Sequence, residues 1–138
     1  MNYSESILPL VNRFVTYIQD RDAQRYSKLV DVFPVYRALK KREPLEQQFL
    51  TVLQELNRSL NRFGKFPSQR VCDDVDSLER VRGMLRSIGA AAQAHFNDTD
   101  LPGNVKKEIK ALAANTRRCE SLIQRKQDAL NELLRFRI

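Results

Sequence analysis

Apolar side chains recur along this chain at steps of three and four, the spacing that gathers them on one face of a helix. The longest run fills the last third. Val105, Ile109, Leu112, Thr116, Cys119, Ile123, Leu130 and Leu133 keep these steps apart from one gap, at Lys126. The period is about 3.5, which holds a single stripe against packed neighbours. Asn104 supplies an N-terminal cap, no glycine or proline follows it, and the spacing predicts one helix over 104–137. At about 1.5 Å per residue that helix spans about 50 Å, so other helices must lie along it.

Three further patterns supply them. Leu45, Phe49, Val52, Leu56, Leu60 and Phe63, with Leu53 alongside, predict a helix over 44–63, opened by Pro44 and closed by Gly64. Ser68 caps the next, whose stripe is Val71, Val75, Leu78, Val81, Leu85, Ile88, Ala92 and Phe96, giving a helix over 68–97. Gly83 and Gly89 weaken its middle by about 1 kcal/mol each relative to alanine. With Ala90, Ala91, Ala92 and Ala94 they allow close backbone approach, either inside the bundle or in a groove for a partner. In the first part of the chain Ile7, Leu10, Val11, Phe14 and Ile18 form one face, and Tyr26, Leu29, Val30 and Phe33 resume it. A first helix over 4–33 is therefore either continuous or split at Asp20–Asp22. Pro34 stops or kinks it, and Val35, Tyr36 and Leu39 add a short helical extension.

The fold class that follows is all-α: an antiparallel bundle of about four long helices, the first split or continuous, with a long C-terminal amphipathic helix. One domain covers 1–138. Composition agrees, with 42% hydrophobic and 30% charged residues but only 4 glycines and 5 prolines to break helices. No apolar run reaches the roughly 18 residues a membrane-spanning helix needs. The start, MNYSESILPLVNRF, lacks the basic opening and unbroken apolar stretch of a signal peptide, so a cytoplasmic location is expected.

Candidate chemistry is sparse. Cys72 and Cys119, with a single histidine and no CxxC, cannot build an ordinary zinc site and read as small buried apolar side chains. A disulfide between their helices stays open. Asp98, Asp100 and Asn104 lack the glycine and closing glutamate of a calcium loop. Asp73 and Asp74 suit a helix start, not an acid–base pair. His95 is the only histidine, at the end of a helix. The HEPN ribonuclease pattern needs an arginine close before its histidine, and Arg86 lies too far off. Phosphotransfer bundles need lysine and glycine soon after it, where Phe96 and Asn97 stand here. No nucleotide-binding, metalloprotease or hydrolase motif occurs. The expectation is no enzyme, no cofactor, no metal and no small-molecule substrate.

Charge points outward. The formal net charge is +7, unevenly spread: 9 basic against 4 acidic residues over 101–138, but 4 against 6 over 68–100. Opposite the apolar stripe of the last helix lie Lys107, Lys110, Arg117, Arg118 and Arg125, able to meet phosphates or an acidic partner. No aromatic residue on that face offers base stacking, and no base-reading motif is present. At the C-terminal end Leu130, Leu133, Leu134, Phe136 and Ile138 crowd together, which fits either a covered bundle end or contact with another chain. Lys126 in the seam points the same way, as polar seam residues can set oligomer state. The reading ranked first is a non-catalytic helical interaction module: an adaptor, chaperone-like or assembly subunit that binds a protein partner or itself. The alternative is a nucleic-acid accessory protein that grips phosphate backbone without base specificity.

Overall fold

The computed structural model of the chain describes residues 2–22, 45–65, 75–95 and 101–136. Four helices take up nearly all of them: α1 (Asn2–Asp22), α2 (Leu45–Lys65), α3 (Val75–Ala94) and α4 (Gly103–Phe136). No strand occurs among the described residues. Asp20–Asp22 are helical. The expected second half of the first helix, the extension after Pro34, the Ser68 cap, Cys72 and Phe96 all lie outside the described residues. Helix α2 runs through Gly64 to Lys65, past the glycine expected to close it. Helix α4 opens one residue early, at Gly103, and Asn104 Oδ1 accepts the Val105 amide at 2.9 Å.

The helices stay helical because each buries a stripe. Ile7, Val11, Phe14 and Ile18 of α1 join Phe49, Val52, Leu53, Leu56, Leu60 and Phe63 of α2 in a single buried cluster. Leu78, Val81, Leu85, Ile88 and Ala92 of α3 and Val105, Ile109, Leu112, Cys119 and Ile123 of α4 complete it. Burying such a side chain is worth about 1.5–3 kcal/mol, far more than the propensity differences within these sequences. Leu101, in the connection before α4, is also buried. Helix α1 packs on α3, α3 on α4, and α4 on α2.

Polar pairs across these contacts fix the register. Between α3 and α4, Gln127 donates to Glu79 Oε2 at 3.1 Å and accepts from Arg82 at 3.0 Å, while Arg86 reaches Glu120 at 2.9 Å. The residue numbers of these pairs run in opposite senses along the two helices. Between α2 and α4, Asn115 Nδ2 donates to Asn57 Oδ1 at 3.1 Å, and Cys119 Sγ lies 3.3 Å from the Leu60 carbonyl. Asn57 in turn donates to Glu108 Oε2 at 2.8 Å. Here the numbers rise together, and α2 and α4 run the same way. Asn57, Asn115 and Gln127 are buried, so each unmade bond would carry a desolvation cost of about 1–3 kcal/mol; made, they discriminate against slipped pairings.

Two expectations for α4 change. Its polar seam residue is the buried Gln127, not the partly exposed Lys126, so the apolar stripe continues from Ile123 through Gln127 to Leu130 without a gap in spacing. Leu133 leaves the stripe and is exposed. The two glycines of α3 also separate in role. A methyl group on Gly89 would sit 2.5 Å from Thr116 Oγ1, whereas nothing lies within 4 Å of one on Gly83. Gly89 is therefore the close crossing of α3 and α4, and Gly83 is not.

Candidate interaction surface

Helix α4 carries both surfaces nominated by the sequence. Lys107, Lys110, Arg117, Arg118 and Arg125 are all exposed. They do not form one free row. Arg118 donates to Asn115 Oδ1 at 2.6 Å and to Asn61 Oδ1 at 3.5 Å, which turns its guanidinium toward α2. Arg117 lies over a shallow cleft of about 160 Å³ between Arg86, Gly89 and Gln93 of α3 and Ala113 and Glu120 of α4. Ligand pockets for drug-sized molecules are about 300–1,000 Å³, so this cleft is the gap left where glycine and alanine replace larger side chains.

No group of three or more histidine, cysteine or acidic side chains placed to hold a metal ion occurs among the described residues. His95 is half-buried in the turn that ends α3, its amide donating to the Ala92 carbonyl at 3.2 Å. Cys119 is buried against α2, as expected of a small apolar side chain. No helix among the described residues is long and apolar enough to cross a membrane.

The apolar end of α4 is the most unusual surface. Leu130 is half-buried and packs on the core. Leu133 is 61% and Leu134 51% exposed, and they are the only large hydrophobic side chains exposed among the described residues. The side chains of Phe136 and Ile138 lie outside the description. The helix register explains the exposure. The pairs Asn57–Asn115, Asn61–Arg118 and Leu60–Cys119 differ by 57 to 59, so Lys65, the last residue of α2, falls opposite about residue 123 of α4. Helix α4 thus continues for about 20 Å with no described helix on its α2 side.

Sequence reasoning missed the line that runs down that side. Glu108 and Asn115, which face α2, are followed at steps of seven by Leu122 and Ala129, and Cys119 is followed in the same way by Lys126 and Leu133. Leu122 and Lys126 are partly exposed, Ala129 and Leu133 exposed. This second stripe is offset around the helix from the core stripe, and only the α2 contacts reveal which side it lies on. No known protein family, curated protein or solved structure matches the chain.

Proposed function

We propose that this chain is a non-catalytic helical interaction module, an adaptor, chaperone-like or assembly subunit of the cytoplasm, that docks a protein partner at the apolar end of α4. In this reading helices consecutive in the chain run antiparallel, while α2 and α4, which pack on each other, run the same way. The observation that carries the reading is the paired exposure of Leu133 and Leu134, where every other large hydrophobic side chain of the described residues is at least partly covered. Adjacent exposed leucines cost solubility unless another surface removes them from water, and their burial contributes about 1.5–3 kcal/mol each.

The test is purification of the chain under mild conditions from producing cells, alongside two variants. Leu133→Ser/Leu134→Ser should lose a stoichiometric complex while its helicity and unfolding midpoint stay within about 0.5 kcal/mol of the parent. Lys107→Glu/Lys110→Glu should keep that complex. Equal recovery of the complex with the serine pair would remove the apolar end from the reading.

The exposure of Lys107, Lys110, Arg117 and Arg125 favours a second reading, backbone contact with nucleic acid. With Arg118 committed to Asn115 and Asn61, four cations remain for phosphate. Fluorescence anisotropy with single- and double-stranded oligonucleotides then gives binding that ignores base sequence and weakens steeply between about 50 and 200 mM salt. Lys107→Glu/Lys110→Glu should abolish it. Absence of binding at the lowest salt would leave these side chains as a solvated or protein-facing surface.

A further inference from the structure

Charge of one sign covers the wall that α2 and α4 form together. Every exposed charged side chain within 49–63 and 103–125 is basic. The three carboxylates of these stretches are partly covered and engaged, Glu55 with Arg58, Glu108 with Asn57 and Glu120 with Arg86. Helices α1 and α3 differ, exposing Asp20, Asp76 and Glu79 beside Arg13, Arg21 and Arg80. We infer that the α2–α4 wall is a seat for the phosphate backbone of duplex nucleic acid, to which α2 contributes Arg58 and Arg62. The inference rests on the reading of α4 as a backbone-binding face, and specifies its second helix and the form of nucleic acid it takes.

The contacts between the two helices fix which way these side chains face. On α2, Asn57 and Asn61 meet α4, while Leu56 and Leu60, one residue before each, are buried. Successive residues of a helix are about 100° apart, so Arg58 and Arg62, one residue after, stand on the outer side. On α4 the order reverses. Glu108 and Asn115 meet α2, Ile109 and Thr116 after them are buried, and Lys107 and Ala114 before them stand outward. Arg125, about five full turns on, shares the side of Lys107. Because Asn57 lies across from Asn115, Arg58 and Arg62 come level with about residues 116 and 120 of α4. There α4 itself offers only Arg117, which leans toward α3 over the cleft, and Arg118, held by Asn115 and Asn61. The α2 pair thus fills the interval between Lys110 and Arg125. Arg58 pairs with Glu55, yet its exposed guanidinium keeps donors for phosphate.

Packed helices lie about 8–10 Å apart, and Lys107 to Arg125 spans about 27 Å. That width falls between the roughly 6 Å minor and 12 Å major grooves of a duplex, so the two rows reach phosphates of both strands across one groove, over about eight base pairs. The uncharged exposed side chains of the wall are small or polar: Thr51, Gln54, Asn61, Ala114 and Ser121. Single strands are held by stacking on aromatic rings, and protein interfaces are built on a core depleted of charge. The exposed leucines, Leu133 and Leu134, lie beyond the end of this wall. A rigid duplex asks only for cations in rows.

Fluorescence anisotropy of the full chain with a DNA duplex of about 16 base pairs, twice the footprint, tests this through the slope of log affinity against log salt. Lys107, Lys110, Arg117 and Arg125 of α4 with Arg58 and Arg62 of α2 make six contacts. At about 0.9 per contact the slope is about −5, a loss of about a thousandfold between about 50 and 200 mM salt. Arg58→Gln/Arg62→Gln should flatten the slope by about 2. Arg13→Gln/Arg80→Gln removes the same charge from exposed positions of α1 and α3 and should leave it unchanged. The single strand of the same length should bind more weakly than the duplex, and circular dichroism checks that both variants keep their helicity. A slope unaltered in the α2 variant, or flattened equally in both variants, overturns the two-helix wall while α4 alone stands as a backbone-binding face. Equal affinity for the single strand overturns the duplex as occupant. Polyglutamate bound as tightly as the duplex overturns nucleic acid and assigns the wall to an acidic protein. No binding at about 50 mM salt removes the inference and the backbone reading of α4 together.

Discussion

Replacing Phe49 by alanine is expected to lower the unfolding free energy by about 3–5 kcal/mol, a large share of the 5–15 kcal/mol typical of a domain. Phe49 is 1% exposed and lies near the start of α2, in the same cluster as Leu53 and Leu56. Truncation removes a ring from water-free surroundings and leaves a cavity that helices held by polar pairs at Asn57 and Asn115 cannot easily close. Leu56, fully buried, should behave alike at about 2–5 kcal/mol. Urea denaturation followed by circular dichroism reads both as lowered midpoints at unchanged slope. A midpoint near that of the parent would mean that the α2 stripe does not fill the core, and with it the register used to locate the end of α4 would fall.

The second large effect is expected at Gly89. Alanine is the better helix former by about 1 kcal/mol, so an unhindered Gly→Ala change stabilises. At Gly89 the added methyl meets Thr116 Oγ1 at 2.5 Å and Thr116 Cβ at 3.3 Å. The Thr116 hydroxyl is itself buried and bonded to the Leu112 and Ala113 carbonyls, so moving it aside breaks both bonds. Overpacking of this kind costs about 1–3 kcal/mol and outweighs the propensity gain. Gly89→Ala should therefore destabilise, while Gly83→Ala, with nothing within 4 Å, should stabilise by up to about 1 kcal/mol. Thermal melting of the pair separates the two glycines. Adding Thr116→Ala to Gly89→Ala should recover much of the loss, because the closest contact is gone. Destabilisation that persists unchanged in the double variant would place the strain elsewhere than at this crossing.

These two sites show where sequence reading succeeds and where it stops. The stripe from Phe49 to Phe63 was legible because apolar residues at steps of three and four leave one face for burial, and all of its members are buried. The basic residues of α4 were legible as exposed for the same reason, being opposite its stripe. Periodicity gives a face but not the helix that covers it. Hence Gly83 and Gly89 looked alike until Thr116 was found over only one of them. The seam at Gln127 was missed because a polar residue in a stripe looks like a gap, although the step of four from Ile123 was intact. Its burial depends on Glu79 and Arg82, which sit on another helix. Leu133 was assigned to the core stripe, yet it is exposed, because α2 stops short of it. The turn of Arg118 toward Asn61 has the same origin, a partner helix whose register the sequence does not print.

Site-specific photo-crosslinking most directly tests the central claim, that the chain meets another protein at the end of α4. A photoreactive phenylalanine analogue would be placed at residue 133 in one variant and at 107 in another, and each irradiated in producing cells. Both positions are exposed, so neither substitution should disturb the core. The account expects discrete protein adducts, with a second copy or with another chain, from position 133 and none from position 107. Adducts absent from 133, or formed equally from 107, would contradict it and leave Leu133 and Leu134 as surface leucines that bind nothing.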